Sequence, residues 1–190
     1  RWEGNTPMPK TVPLSDFFHQ ETLRSLRETL ERLQYYYTQR DVNLLDAFMT
    51  ELFSTEGSIT VIGVGDDAFC AGHDQAREMF ENDWLYWGDV VFDSEPARID
   101  YHNEVGWITT TGTVTKRLDT EILFRDVPDK TQEADERKNS ILNMLKLTTD
   151  VSNNDSGGQV FSMGIRFSAV LLKTSEGWRF RQMHFSTNTP

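Results

Sequence analysis

Apolar residues recur every three or four positions in the first part of the chain. The longest run of this kind predicts an amphipathic helix, for which Ser15 can supply the N-cap. The apolar stripe of this helix consists of Leu23, Leu26, Leu30, Leu33 and Tyr37. Asp41 is the predicted cap of a second helix, and Gly57 follows its end. Residues 58–64 are rich in β-branched side chains and predict a strand, and residues 73–87 return to helical spacing.

Beyond the third helix, the apolar positions alternate as they do in β-strands. Strands are predicted at residues 90–92, 97–102, 107–117, 161–173 and 178–186, and the last two form a hairpin. Residues 118–159 interrupt this series and predict an insertion with its own helix near residues 141–147, followed by a mobile tail rich in Ser, Asn and Gly. Its acidic part is most simply a solvated face. Helices followed by a long antiparallel sheet indicate an α+β domain.

Charge and cysteine content narrow the classes of function. The 190 residues include 30 Asp and Glu against 19 Lys and Arg, so the net charge of -11 disfavours nucleic acid and anionic membrane surfaces as partners. Cys70 is the only cysteine, which excludes an intramolecular disulfide and favours a cytoplasmic protein. We expect residues 1–14 to form a flexible segment, unlike a signal peptide, with further sequence upstream because residue 1 is not Met.

The last predicted strand carries the most suggestive chemistry. Strict alternation would place five of its side chains on one face: Trp178, Phe180, Gln182, His184 and Ser186. Such a face, apolar at one end and polar at the other, suits the wall of a ligand pocket. His184 is the first candidate for proton transfer, because histidine titrates near neutral pH and Gln182 or Ser186 could orient it. The alternative is a histidine that donates to a backbone carbonyl within the sheet.

Asp83 is the second candidate for proton transfer. It precedes Trp84 near the end of the third helix, and burial against an aromatic ring would raise its pKa, as a general base requires. A solvated carboxylate at a helix end is the alternative interpretation. Three consecutive tyrosines, Tyr35, Tyr36 and Tyr37, cannot all face the core of one helix, so at least one should face solvent, a pocket or a partner.

Further side chains could hold a flat ligand. Tyr36, Trp84 and Trp107 could pack against it, although plain core packing is the simpler interpretation for Trp107 and Trp178. Arg166 could bind a carboxylate if it faces the pocket, and otherwise it belongs to the outer surface of the sheet.

Other common sites have little support. The scattered histidines, including His73, provide no metal-ligand spacing, so no metal and no cofactor are predicted. The glycines at positions 63 and 65 lack the remaining pattern of a dinucleotide site. Cys70 has no cationic neighbour at a fixed spacing and is best interpreted as a buried structural thiol.

Several of these features together resemble a known family. They are Gly72 at the start of the third helix, the Asp83-Trp84 pair, Glu104-Val105-Gly106-Trp107 at the start of a strand, and the ending at 178–186. In this order, they resemble the SnoaL-like branch of the nuclear transport factor 2-like superfamily, which includes ketosteroid isomerases and polyketide cyclases. The resemblance covers about residues 15–186, apart from the insertion at 118–159.

The resemblance implies a cone, in which a strongly bent antiparallel sheet wraps around N-terminal helices, as a single domain over residues 15–190. It also implies a pocket that opens between the sheet and the helices. We expect this pocket to take a small hydrophobic or aromatic, partly polycyclic compound, which is bound or undergoes isomerase, cyclase or dehydratase-like proton transfer. In the enzyme, the side chains of His184 and Asp83 would shuttle the proton. The alternative function is a non-catalytic homodimeric assembly module. An enzyme should retain an inner cavity with polar groups, whereas an assembly module can fill that space with side chains.

Overall fold

Helices lie in the first half of the chain, and the second half forms most of a curved sheet. The computed structural model describes residues 13–64, 68–118, 150–153 and 159–187. Its helices are α1 (Leu14–Gln39), α2 (Leu45–Leu52) and α3 (His73–Asn82). Its strands are β1 (Thr60–Ile62), β2 (Phe69–Ala71), β3 (Asp89–Phe92), β4 (Arg98–His102), β5 (Val105–Leu118), β6 (Asp150–Asn153), β7 (Gln159–Thr174) and β8 (Gly177–Thr187). The predicted α+β class is confirmed.

Helix α1 contains the predicted apolar stripe. Leu26, Leu30, Leu33 and Tyr37 are buried, while Leu23 is half-buried. The predicted Ser15 cap is wrong, because the helix begins at Leu14 directly after Pro13, which has a φ of -54° and provides no side-chain cap. The helix ends before Arg40, which adopts a left-handed conformation with a φ of 47°.

A side-chain cap precedes α2, and a π-helical turn follows α3. Asp41 accepts a hydrogen bond from the backbone N–H of Asn43 at 3.0 Å, which confirms it as a cap; a short 3-10 turn then leads into α2. Helix α3 ends earlier than predicted, at Asn82, and a π-helical turn covers Asp83–Trp87. This turn carries Asp83 and Trp84, two of the predicted site residues.

The sheet runs in the order β2-β1-β8-β7-β5-β3, with β4 also paired to β5 and β6 also paired to β7. All pairs are antiparallel except β1 and β8, so the sheet is mixed rather than purely antiparallel. The short strand β2, which pairs with β1, was not predicted. Three residues with little alternation carry too weak a signal for periodicity to identify.

One face of the sheet packs against the helices and forms the core. On β7 this inner face carries Phe161, Met163, Ile165, Phe167, Ala169 and Leu171, all of them buried. Helix α1 approaches β5 so closely at Gly106 that a Cβ atom there would lie 2.7 Å from the side chain of Leu26. A side chain at position 106 would have to displace the buried side chain of Leu26, so glycine favours this close approach of the helix to the sheet.

Two of the predicted segments fall largely outside the described residues. The predicted helix at 141–147 and most of the segment 1–14 lie there, although Leu14 already belongs to α1. Within the predicted insertion 118–159, the structure describes β6, which pairs with the beginning of β7. This strand was not expected from the polar sequence around it.

Candidate functional site

A hydrogen bond between Tyr37 and Asp83 forms the centre of the candidate site. The Tyr37 hydroxyl donates to Oδ2 of Asp83 at 3.3 Å. Tyr37 comes from the last turns of α1 and is 1% exposed, whereas Asp83 opens the π-helical turn and is half-buried. Periodicity placed Tyr37 in the core, and the register of the π-helical turn brings the carboxyl of Asp83 within reach of it.

The electrostatics of this pair suit proton transfer near neutral pH. Burial raises the pKa of Asp83 from 3.8 to about 7, and the hydrogen bond from Tyr37 acts in the opposite direction. Burial also raises the pKa of Tyr37 well above its usual value, and the charge of Asp83 adds to this effect. The phenol therefore keeps its proton, while the carboxyl can gain or lose one near pH 7.

The π-helical turn is held from two sides. Arg40 donates to the carbonyl oxygen of Trp84 through Nε at 2.9 Å and Nη2 at 2.7 Å, and its Nη1 pairs with Asp89 at 2.6 Å. The ammonium group of Lys116 donates to the carbonyl oxygen of Tyr86. Single π-helical turns are frequent at functional sites, because they redirect the side chains that follow. Sequence reasoning did not identify Arg40, and its position after the helix end gives no signal for this role.

Aromatic rings surround the pair. Tyr36 stacks on Trp84 with ring centroids 6.4 Å apart and planes 7° apart, and Phe48 packs against Trp84 at 5.0 Å. The Tyr36 hydroxyl donates to Glu51 at 2.6 Å; burial, followed by this hydrogen bond, raises the pKa of Tyr36 to about 12. The buried indole N–H of Trp84 has no hydrogen-bond partner among the described residues. Tyr36 and Trp84 thus lie beside the Tyr37–Asp83 pair, and both are packed as part of the core.

The three tyrosines behave as helical geometry requires. Tyr35 is 54% exposed, while Tyr36 and Tyr37 are buried.

Cys70 lies on β2 and is half-buried. Burial raises the pKa of its thiol, and the charge of Asp83 raises it further. A thiol held in its neutral form fits the structural role that was predicted for it.

A β-bulge in β8 separates the predicted site residues. The pairing of β7 with β8 passes from Val170–Gln182 to Leu171–Phe180, so Arg181 is an extra residue without a partner on β7. After the bulge the faces are exchanged. The prediction that Trp178 and Phe180 share a face with Gln182, His184 and Ser186 is therefore wrong. Trp178 and Phe180 are buried on the inner face, which Met183 and Phe185 continue.

The predicted pairing of His184 with Asp83 is wrong for the same reason. His184 lies opposite Ser168 on the outer face of the sheet. Asp83 bonds to Tyr37, whose ring packs against the inner-face residue Phe185 with centroids 6.4 Å apart. The two candidates for proton transfer thus lie on opposite sides of β8, and only Asp83 borders the aromatic interior.

Four other residues predicted for the pocket lie on the outer face of the sheet. Their register positions on β5, β7 and β8 place them there: Gln182, Ser186, Arg166 and Trp107. Trp107 is 40% exposed, so the core interpretation is wrong for it, whereas the core interpretation of Trp178 is confirmed. The residues expected to form a single pocket therefore occupy two regions, one inside the cone and one on its outer surface.

Comparisons with known proteins identify the fold. No known protein-family profile and no curated protein sequence matches the chain. Its structure is similar to a candidate dehydratase of the nuclear transport factor 2-like family from Streptomyces avermitilis, with a TM-score of 0.59 and 9% identity over 90% of this chain and 99% of that chain. A candidate scytalone dehydratase from Novosphingobium aromaticivorans has a TM-score of 0.57 and 11% identity over 93% of this chain and 89% of that one.

A third similar structure is a ketosteroid isomerase-like protein from Erwinia carotovora atroseptica, with a TM-score of 0.55 and 12% identity over 90% of this chain and 98% of that chain. None of the helices described is long and apolar enough to cross a bilayer. The helix order, the mixed curved sheet and these similarities together show that the chain has the nuclear transport factor 2-like fold.

Proposed function

We propose that the chain is a small-molecule pocket domain in which Asp83 transfers a proton on a small, partly aromatic or polycyclic organic compound. The observation that carries the proposal is the Tyr37–Asp83 hydrogen bond inside an aromatic shell, where burial raises the pKa of Asp83 to about 7. A carboxyl with this pKa can accept a proton from a ligand and return it at another position without a further reactant. Isomerisation and elimination of water are reactions of this kind.

Tyr37 serves as a positioning residue in this proposal. Its hydroxyl binds Oδ2 of Asp83 and fixes the carboxyl, while Oδ1 accepts no hydrogen bond from the described residues. The ligand would approach Oδ1 from the side of Cys70, a half-buried residue whose thiol is close enough for the charge of Asp83 to raise its pKa. Support by analogy comes from the similar structures, of which two are candidate dehydratases and one is ketosteroid isomerase-like. Placement in the SnoaL-like branch and a cytoplasmic location, which the single cysteine favours, belong to the same proposal.

The test is the binding of 2-naphthol, a flat two-ring compound with one hydroxyl donor. We expect wild-type protein to bind it more tightly at pH 8 than at pH 5.5, by roughly tenfold, because the ionised carboxylate is the stronger acceptor. Asp83→Asn should lose this pH dependence, and Asp74→Asn, which removes an exposed carboxylate from the preceding helix α3, should keep it. Binding that is the same in Asp83→Asn as in wild type would remove Asp83 from the site.

A second candidate function is a homodimeric assembly module that uses the outer sheet face. Two observations favour it. Aromatic side chains fill the centre of the cone, with Phe92, Phe167 and Phe185 at centroid distances of 5.1 to 6.3 Å from one another. The outer face, in turn, exposes Val91 by 58% and Trp107 by 40%. Burial of such side chains against a second copy would stabilise a dimer.

The sedimentation coefficient tests this second function. A wild-type dimer should dissociate when Trp107→Ser and Val91→Lys are combined, and Leu85→Ser, at an exposed apolar position outside this face, should leave it intact. A wild-type protein that sediments as a monomer at high concentration would contradict the dimer.

A further inference from the structure

A groove of about 440 Å³ opens on the outer face of the sheet, where β4, β5, β7 and the end of β8 meet. Its volume lies within the range of sites for small molecules, roughly 300 to 1,000 Å³. Its lining includes Pro96 and several arginine, threonine and serine residues. Those on the outer face of the strands are Arg98, Thr109, Thr111, Arg166, Ser168 and Ser186.

The strand register explains why these side chains converge. Arg98 of β4 is paired with Thr109 of β5, and Thr109 with Ser168 of β7. In the next row on the same face, Thr111 of β5 is paired with Arg166 of β7, which is paired with Ser186 of β8. The two arginines are thus two strands and two residues apart, about 12 Å between Cα atoms for ordinary strand spacing. Hydroxyl groups occupy the space between them.

Arg98 and Arg166 differ from the other arginines of this chain. Neither has a hydrogen bond or an ion pair with any described residue, and both are exposed. The other arginines with described side chains all donate to a carboxylate or to a backbone carbonyl: Arg24, Arg27, Arg32, Arg40, Arg77, Arg179 and Arg181. In a chain with 30 acidic residues and 19 basic ones, two unpaired guanidinium groups at one groove form a local positive region.

Two carboxylates lie near the groove and limit its positive potential. Asp93 accepts a hydrogen bond from the hydroxyl of Thr111, and its backbone carbonyl accepts one from Thr110 at 2.6 Å. Asp100 follows Arg98 by two residues on β4, and its carboxylate accepts the backbone N–H of Tyr101 at 2.8 Å. Both carboxylates are therefore engaged by other donors, and neither one neutralises the arginines by direct contact.

We propose that this groove binds a small organic anion through a carboxylate or phosphate group. Guanidinium groups bind both of these groups with two parallel N–H donors. The hydroxyls of Thr109, Ser168 and Ser186 supply further donors at the floor of the groove, whereas the hydroxyl of Thr111 already donates to Asp93. The site is separate from Asp83, which lies on the inner side of the sheet. The proposal therefore does not depend on proton transfer in the interior.

The test is calorimetric titration of the whole chain with citrate and, in a separate arm, with inorganic phosphate, at matched ionic strength. We expect saturable binding with a one-to-one stoichiometry for at least one probe, and the probe that binds identifies the anionic group. Arg98→Gln and Arg166→Gln should each weaken binding by roughly tenfold, the effect of losing a charge-assisted hydrogen bond. Both residues are exposed and unpaired among the described residues, so these variants should fold normally.

Arg24→Gln is the matched control, because it removes the same charge from an exposed arginine on α1. It should bind the probes as wild type does, and so should Asp83→Asn. Three results would overturn the proposal: no saturable binding of either probe, equal weakening by Arg24→Gln, or Arg98 and Arg166 variants that bind the probes as wild type does but sediment differently. The last result would mean that the groove holds side chains of a second copy.

Discussion

The phenol of Tyr37 and the carboxyl of Asp83, 46 residues apart in the sequence, meet at 3.3 Å in the interior of the cone. Tyr37 arrives there because it extends the apolar stripe of α1, and Asp83 because α3 passes into a π-helical turn. The pair combines a residue of the stable core with a carboxyl whose charge is costly to bury. Such a cost is typical of sites selected for chemistry, and it can be measured.

The pH dependence of stability should reveal this cost. The pKa of Asp83 is about 7 in the folded chain, against an ordinary value of 3.8. Between about pH 4 and pH 7 the folded state retains a proton that the unfolded state releases, so the free energy of unfolding falls as the pH rises through this window. The full loss is about 4 kcal/mol, reached above pH 7.

Asp83→Asn should remove this loss, because the amide carries no charge. In urea denaturation we expect the variant to be more stable than wild type at pH 8 and nearly equal to it at pH 4. Asp74→Asn is the control, since that carboxylate is exposed on the preceding helix α3, and it should follow wild type at both pH values. A less stable Asp83→Asn protein at pH 8 would show that the carboxylate is not destabilised by burial.

Tyr37→Phe should raise the pKa of Asp83 above about 7. The hydroxyl of Tyr37 donates to the carboxyl and lowers this pKa, so its removal leaves burial unopposed. The measurement is a pH titration of the ¹³C signal of the Asp83 carboxyl. Tyr36→Phe provides the comparison, because the Tyr36 hydroxyl bonds to Glu51 instead and should leave the titration of Asp83 unchanged.

Arg40→Gln should loosen the π-helical turn. The guanidinium makes two hydrogen bonds to the carbonyl of Trp84 and one to Asp89, so we expect a loss of stability of about 2 kcal/mol. Hydrogen exchange should accelerate at the amides of residues 83–88. Arg24→Gln removes an exposed ion pair of α1 and should cost less than about 1 kcal/mol. Equal effects of the two variants would mean that Arg40 does not hold the turn.

A pair of neighbouring substitutions tests the bulge at Arg181. Phe185 is 1% exposed on the inner face, so Phe185→Ala should cost about 3 to 5 kcal/mol. His184 lies on the outer face, and His184→Ala should cost no more than about 1 kcal/mol. It should also leave the binding of 2-naphthol unchanged. The opposite order of the two costs would restore the uninterrupted alternation of β8 and return His184 to the interior.

The helical half of the chain was predictable because its apolar spacing is regular. The stripe from Leu26 to Tyr37 and the Asp41 cap follow from side-chain type and position alone. Asp83 could also be singled out. It lies next to Trp84 near a helix end, and burial of a carboxyl against an aromatic ring raises its pKa. Its partner Tyr37 could not be identified, because the contact depends on the relative placement of α1 and α3.

The outer-face position of Gln182, His184 and Ser186 could not be predicted, because a single extra residue in β8 exchanges the faces of the residues after it. Arg181 carries no signal of its own, being neither a glycine nor an unusual strand residue, and only the pairing of β7 with β8 identifies it as the bulge. Arg98 could not be identified from the sequence either, because its role also depends on strand pairing. Its significance comes from Arg166 on a different strand, and this arrangement depends on the register of β4, β5 and β7.

The proposed proton transfer depends first on the protonation of Asp83, which a titration of its carboxyl in the wild-type protein measures. The ¹³C signal should be assigned by its loss in Asp83→Asn and followed from pH 3 to pH 9. A midpoint near 7 would support a carboxyl that can exchange a proton at neutral pH, as burial beside Tyr37 predicts. A midpoint near 4 would show an ordinary solvated carboxylate and contradict the proposed proton transfer.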